Sequence, residues 1–273
     1  MRRLIAKVGL FIGLTGLGAA APPPPAEIAL WRLDCGSVFI SDLDVFSDTY
    51  AYVGRTKTLT DSCYLVRHGG QYLLWDTGFP KELVGKSETD GAFTASMKAS
   101  LADQLARIGV RSDQITYVGI SHRHDDHTGQ LPEFPHATLL IGAGDFETLK
   151  ARKSDRIAPW TKGGGKVEAV TGDRDVFGDG SVVMLDMPGH TEAHHSLLVR
   201  LPRTGPVLLT GDLYHFAENR ATGGVPGFNT SRSLTMASMA RFEVIARNLH
   251  ARVIIQHEPA DIIKLPLFPA AAR

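Results

Sequence analysis

Cysteine is scarce in this chain: only Cys35 and Cys63 occur, and neither stands in a zinc-binding spacing, so cysteine-ligated zinc is excluded. The two can pair in an oxidising compartment or remain as buried thiols, and the sequence leaves both open. An excess of charge of either sign is also absent, with Lys plus Arg and Asp plus Glu at 29 each. No overall field therefore favours nucleic acid or an anionic membrane surface, and the expected partner is a small, weakly charged molecule. Internal repeats and low-complexity tracts are missing. The N-terminal apolar stretch Val8-Gly9-Leu10-Phe11-Ile12-Gly13-Leu14 falls short of the ~20 residues that a membrane span needs.

What is present is a chain of 273 residues, 43% apolar and 21% charged, enough to bury one large core. Its first residues read apart from that core. Met1-Arg2-Arg3 and Lys7 lead into the apolar stretch and Gly18-Ala19-Ala20-Ala21 follow it, the order of a secretory signal peptide over residues 1–21. Cleavage is expected after Ala20 or slightly downstream, because Pro22 hinders it after Ala21. Arg2-Arg3 with Lys7 bears a weak resemblance to a twin-arginine signal. A Pro-rich tether over residues 22–27 then leads into one domain over 28–273, expected to be exported, periplasmic or secreted, with no membrane span after removal of the signal. The oligomeric state stays open, a homodimer included.

Ile28 to Leu33 begins the first strand-like run, and Ser41 to Thr60 is polar and irregular with scattered aromatics. Cys63-Tyr64-Leu65-Val66 and Tyr72-Leu73-Leu74-Trp75 flank His68-Gly69-Gly70-Gln71, a hairpin signal. Met97, Leu101, Leu105 and Ile108 recur at helical spacing, which predicts a helix from Phe93 to Ile108, stopped by Gly109. Further strands are predicted at 115–120, 137–141, 181–185, 196–201, 207–210 and 252–256, with a helix at about 234–249. Hairpins first, then strands mixed with helices, suggest two sheets packed face to face with helices outside.

The chemistry concentrates in Ser121-His122-Arg123-His124-Asp125-Asp126-His127, directly after a buried strand. Three imidazoles and a carboxylate in six residues do not pack into an apolar core without large desolvation costs, and a cation resolves the conflict. His122 and His124 can point to one metal while Asp126 and His127, one turn on, reach a second. The same placement past a strand end recurs at Met187-Pro188-Gly189-His190, at Thr210-Gly211-Asp212 and at Gln256-His257. A lone histidine so placed is usually structural; several together point to a dinuclear site, and nitrogen plus carboxylate ligands favour divalent zinc.

In these motifs the chain resembles the metallo-β-lactamase-fold superfamily over nearly all of residues 28 to 260. The resemblance implies an α+β fold, an αββα sandwich of two packed mixed sheets with helices outside. It implies two divalent metal ions: His122, His124 and His190 on the first, Asp126, His127 and His257 on the second, and Asp212 bridging both. Pro188-Gly189-His190-Thr191 with His194 is similar to the superfamily's G-H-T-x-x-H segment, which makes His194 a structural hydrogen-bonding residue. Asp76, in Trp75-Asp76-Thr77-Gly78, matches the D-x-G strand end whose carboxylate orients a metal-binding histidine.

Asp212 argues against a plain β-lactamase, since enzymes of that kind generally lack a bridging carboxylate. Leu74-Trp75-Asp76-Thr77-Gly78, Ser121 to Gly129 and Thr210-Gly211-Asp212-Leu213-Tyr214 look like the N-acyl homoserine lactonase family. The implied activity is opening of acyl homoserine lactone rings, or quorum quenching, with Asp126 carrying a proton to the leaving group. The chain departs from the family at one point: the catalytic tyrosine usually stands three residues after the bridging aspartate, whereas Tyr214 stands two after it and His215 takes the third place. Tyr214 and His215 are therefore both candidates for the oxyanion donor. The competing readings are a β-lactamase-like amidase, an esterase or a phosphodiesterase on the same site, with Arg123, Arg220 and Arg232 as phosphate-binding candidates, and a metal-binding module without catalysis. Phe79, Phe216, Phe228, Met236 and Met239 line an acyl pocket or belong to the core.

Overall fold

The computed structural model describes residues 26–273; the signal peptide read over 1–21 and the tether's Pro22 to Pro25 lie outside the described residues. Eight strands form one mixed sheet: Ile28–Ile40 (β1), Lys57–His68 (β2), Gln71–Trp75 (β3), Ser87–Asp90 (β4), Phe93–Ser96 (β5), Tyr117–Ile120 (β6), Thr138–Gly142 (β7) and Val167–Val170 (β8). Their order is β4-β5-β1-β2-β3-β6-β7-β8. Five more form the second sheet: Arg174–Asp175 (β9), Val182–Asp186 (β10), His195–Leu201 (β11), Gly205–Leu209 (β12) and Arg252–Ile254 (β13), ordered β13-β12-β11-β10-β9. Among the described residues, no helix is long and apolar enough to cross a membrane.

Side chains alternate between the two faces of a strand, so each sheet can bury both faces. Leu73 and Trp75 of β3 turn inward to meet Leu197, Val199, Val207 and Leu209 of the opposite sheet, which makes the inter-sheet core. Leu74, between them, turns outward with Leu65, Val118 and Leu139 against the helices Leu101–Arg107 (α1), Ala143–Ala151 (α3) and Ala158–Thr161 (α4). A one-turn helix, Asp125–Thr128 (α2), lies between α1 and α3 in the chain. On the far side, Leu198, Leu208 and Val253 pack under Met239, Phe242 and Ala246 of Arg232–Asn248 (α6), which follows the short helix Ala217–Thr222 (α5). The layers are helix, sheet, sheet, helix, the αββα sandwich expected.

The helix predicted from Phe93 to Ile108 is corrected to a strand and a shorter helix. Phe93 to Ser96 pair with both β4 and β1, and α1 starts only after Ser100, whose hydroxyl accepts a hydrogen bond from the Asp103 amide. The segment Ser41 to Thr60 is partly regular: it holds a 3-10 turn at Leu43–Phe46, and β2 already begins at Lys57. Within it Phe46 and Tyr52 are buried, while Tyr50 is 81% exposed.

A register shift in β1 between Asp34 and Gly36 turns Cys35 toward Cys63 of β2, and the two form a disulfide with Cα atoms 5.7 Å apart. Closing a loop of this length constrains the unfolded chain by roughly 3–4 kcal/mol. Denatured, unreduced protein is therefore expected to show no free thiol on titration, and reduction to lower Tm; two titratable thiols before reduction would contradict the bridge.

Candidate metal centre

One end of the sandwich gathers the candidate ligands, each placed just past a strand or on the helix that follows it. β6 ends at Ile120 and delivers His122 and His124, while α2 carries Asp126 and His127. β10 leads to His190, β12 to Asp212 and β13 to His257. All seven residues come together there, in two groups: His122, His124, His190 and Asp212, and Asp126, His127 and His257.

In the first group, His122 Nε2, His124 Nδ1 and His190 Nε2 form a triangle with edges of 2.9, 3.0 and 3.1 Å. A hydrogen bond joins two such nitrogens through one proton, and three lone-pair-bearing nitrogens at these distances cannot all be satisfied by one another. A cation bound at roughly 2.0–2.1 Å from each nitrogen satisfies all three. In the second group, Asp126 Oδ1 lies 3.7 Å from His127 Nε2 and Asp126 Oδ2 lies 3.9 Å from His257 Nε2. Asp212 divides its carboxylate between the groups. Its Oδ2 faces His190 Nε2 at 3.4 Å and His122 Nε2 at 3.7 Å, and its Oδ1 faces His257 Nε2 at 2.9 Å and His127 Nε2 at 3.2 Å.

The electrostatics differ between the two groups. Burial drives the His122, His124 and His190 imidazoles below the ordinary histidine range, toward the neutral form that ligates a cation. Burial acts the same way on His127 and His257, but there the Asp212 and Asp126 carboxylates prevail, raising His127 well above its usual value and His257 to about 9. Asp212 is itself held well below the carboxylate range: burial would raise it, and His257, His127, His215 and His122 outweigh that. Without metal, protons thus stand where the second cation would.

The far nitrogens of three of the ligand rings are fixed by the surrounding chain. His127 Nδ1 donates to Asp76 Oδ2 at 3.0 Å, and Asp76 also accepts from the Ser121 amide at 2.7 Å and from Gln256 Nε2 at 2.9 Å. Asp76 adopts φ 59°, a left-handed conformation that aspartate tolerates better than most residues. His190 Nδ1 donates to Asn229 Oδ1 at 2.9 Å, and His257 Nδ1 to the Thr60 carbonyl at 2.9 Å. His194 bridges two backbones, donating from Nδ1 to the Met187 carbonyl at 3.1 Å and accepting the Asp212 amide at Nε2, 2.9 Å away. Burial takes His194 down to about 3, as that acceptor role requires. A Cβ on Gly211 would meet His194 Nε2 at 2.6 Å, and its φ of +54° disfavours any side chain, so glycine is required beside Asp212.

Residues 58–257, including all seven candidate ligands, match the metallo-beta-lactamase superfamily. The chain belongs to that superfamily. Within the metallo-beta-lactamase superfamily it is 33% identical over 187 residues to the N-acyl homoserine lactonase AttM of Rhizobium radiobacter, covering 62% of this chain and 68% of that protein. It is 34% identical over 174 residues to the AttM of Rhizobium johnstonii, a match that spans 58% of this chain and 64% of the relative's length. An N-acyl homoserine lactone hydrolase structure with the product N-hexanoyl-L-homoserine at its catalytic metal centre shares the fold at a TM-score of 0.77 and 22% identity, covering 90% of this chain and 99% of that one.

Where this member of the superfamily departs from the lactonase motif, the structure separates Tyr214 from His215. Tyr214 is corrected as an oxyanion donor: its ring is packed with Phe242 in the core beneath α6 and its hydroxyl donates to Glu243 at 3.1 Å. His215 faces the centre, with Nε2 3.1 Å from Asp212 Oδ2 and its ring lying parallel to His257. The three arginines weighed for a phosphate are engaged by carboxylates. Arg123 lies 3.6 Å from Asp145 and 3.4 Å from Glu192, Arg220 pairs with Glu243 at 2.8 Å, and Arg232 pairs with Asp48. Of the apolar candidates, Phe216 and Met239 are core, whereas Phe228 and Met236 are each 45% exposed. Asn229 and Thr60 escaped the sequence reading; Phe46, one of the aromatics scattered through the Ser41 to Thr60 segment, packs 4.7 Å from the His215 ring.

Proposed function

We propose that this protein is a dinuclear metal-dependent lactonase that opens N-acyl homoserine lactones, with zinc as the resident metal. The observation that carries the reading is the split of the Asp212 carboxylate, one oxygen toward each ligand group. The relatives named above are N-acyl homoserine lactonases, and the nitrogen and carboxylate donors suit zinc. His122, His124, His190 and Asp212 would hold one cation, and Asp126, His127, His257 and Asp212 the other. Two bound cations supply Lewis acidity toward a carbonyl and acidify water to a pKa of roughly 7.

The chain's own groups supply the rest. Asp76, Asn229 and the Thr60 carbonyl hold three imidazoles in fixed tautomers and orientations. Asp126, 26% exposed among buried neighbours, is reachable by substrate and can pass a proton to the departing ring oxygen. His215 presents Nε2 beside Asp212 as the donor to the carbonyl oxygen. Phe228, 45% exposed with its ring centroid 5.9 Å from that of His215, offers apolar surface to an acyl chain, and the buried Phe46, 4.7 Å away, backs the His215 ring. Engagement of Arg123, Arg220 and Arg232 by acids disfavours the phosphodiesterase reading. Export is part of the proposal, supported by the order of residues 1–21 and by the Cys35–Cys63 bridge, which suits an oxidising compartment.

The test is a pH-indicator assay of acid release from homoserine lactones of several acyl lengths, run beside a chromogenic β-lactam and a phosphodiester. Lactone opening is expected to exceed the other two by at least about 10² in kcat/KM, which corresponds to roughly 2.7 kcal/mol in transition-state binding. Robust β-lactam turnover with no lactone opening would overturn the assignment.

A further inference from the structure

Asp61 is a buried charge that the site described above does not use. It lies near the start of β2 opposite Gly36 of β1, with 0% of its surface exposed. Neither carboxylate oxygen has a hydrogen-bond partner. Buried polar groups are nearly always satisfied, and a buried carboxylate without donors is strongly unfavourable unless another charge answers it. Arg32, the nearest cation on the adjoining strand, does not: it donates to Ser62 Oγ at 2.8 Å and Thr60 Oγ1 at 2.9 Å, the two neighbours of Asp61 that face the other side of the strand.

Asp61 adjoins the second ligand group, whose charges act on it. The preceding residue, Thr60, exchanges two hydrogen bonds with His257: its amide donates to the His257 carbonyl at 3.1 Å, and its carbonyl accepts from His257 Nδ1 at 2.9 Å. Burial is the strongest influence on the Asp61 carboxyl, opposed by His257 and His127 and reinforced by Asp126 and Asp76, and the result in the metal-free protein is a rise to about 8. The protein alone therefore does not stabilise this charge. Asp61 is also not among the donors of Asp126, His127 and His257 that meet within 4.8 Å of one another. Two dications would bring four positive charges, and Asp61 adds a carboxylate to Asp126, Asp212 and Asp76 at this end of the sandwich.

We propose that Asp61 is a charge-balancing residue for the second cation, lying outside the coordinating atoms and raising the affinity of the Asp126, His127 and His257 group through its buried, otherwise unpartnered carboxylate. Charges interact strongly across the weakly polarisable interior, so the effect does not require contact. The inference rests on the reading of that group as a cation site.

Zinc alone is the probe, titrated calorimetrically into the metal-free full chain, with elemental analysis of the loaded protein. For both Asp61→Asn and Asp61→Val, the second zinc is expected to bind 10–100-fold more weakly, the loss usual when a group supporting metal ligands is removed. The first zinc should change less than about threefold, and the Tm of the metal-free protein should be no lower than wild type, since an unfavourable buried group has gone. Wild-type affinity for both ions in either variant would overturn the proposal. So would a fall in metal-free Tm accompanied by equal weakening of both ions, which marks a packing role. Wild type that takes up only one zinc would sink the two-cation reading itself, and is distinguished from failure at Asp61 because it needs no variant.

Discussion

Asp212→Ala is expected to empty both ligand groups at once and to reduce lactone opening by several orders of magnitude, at least about 10³-fold. The carboxylate lies 2.9 Å from His257 and 3.2 Å from His127 through one oxygen, and 3.4 Å from His190 through the other. Two cations placed in adjoining groups repel each other, and a shared anion between them is the term that offsets the repulsion. Its loss also leaves His127 and His257 without the charge that dominates their environment. Elemental analysis is expected to fall from about two ions per chain to well below one in each group. Asp126→Ala, by contrast, should lower the second ion more than the first, because the ligand nitrogens within 4.0 Å of Asp126 are those of His127 and His257. An Asp212→Ala protein that keeps two ions would remove the bridging role.

The ligand set was legible because the chemistry is written in residue type and placement: a cluster of imidazoles and acids directly after a buried strand has few non-metal explanations. The fold was legible through alternation, since Leu73, Leu74 and Trp75 sort inward, outward and inward as a strand demands. The helix over Phe93 to Ile108 failed where two signals competed. Helical spacing from Met97 to Ile108 outweighed Asp90-Gly91, a hairpin dipeptide, and Ser100 with Asp103, a helix start; the structure obeys the latter two. Asp61 left little trace, since Thr60 and Ser62 beside it make it look like one more polar position, and the Thr60 carbonyl that holds His257 leaves none, because every residue has a carbonyl. Tyr214 was legible in part: neighbouring side chains of an extended segment point to opposite faces, which puts Tyr214 and His215 on different sides, and Tyr214 is extended at the end of the 3-10 turn over Gly211–Leu213.

That turn decides the second large effect. Asp212 and His215 face the metal centre together, with His215 Nε2 3.1 Å from Asp212 Oδ2, whereas Tyr214, extended just past the turn, points its hydroxyl to Glu243. His215→Phe keeps a ring between Phe46 and Phe228 and removes the Nε2 donor. It is expected to lower kcat for lactone opening by about 10²–10³ with both ions retained, the usual loss when one donor to a developing oxyanion is deleted. Tyr214→Phe should leave kcat within about threefold and instead cost about 1 kcal/mol of stability, the hydrogen bond to Glu243, seen as a lower Tm. The pair is measured side by side, with metal content checked for each, because lost ions would imitate a lost donor. A Tyr214→Phe enzyme slowed 100-fold beside a His215→Phe enzyme of normal rate and normal metal content would reverse the assignment, since it would mean that the turn reorganises when substrate binds and brings the tyrosine hydroxyl back to the carbonyl.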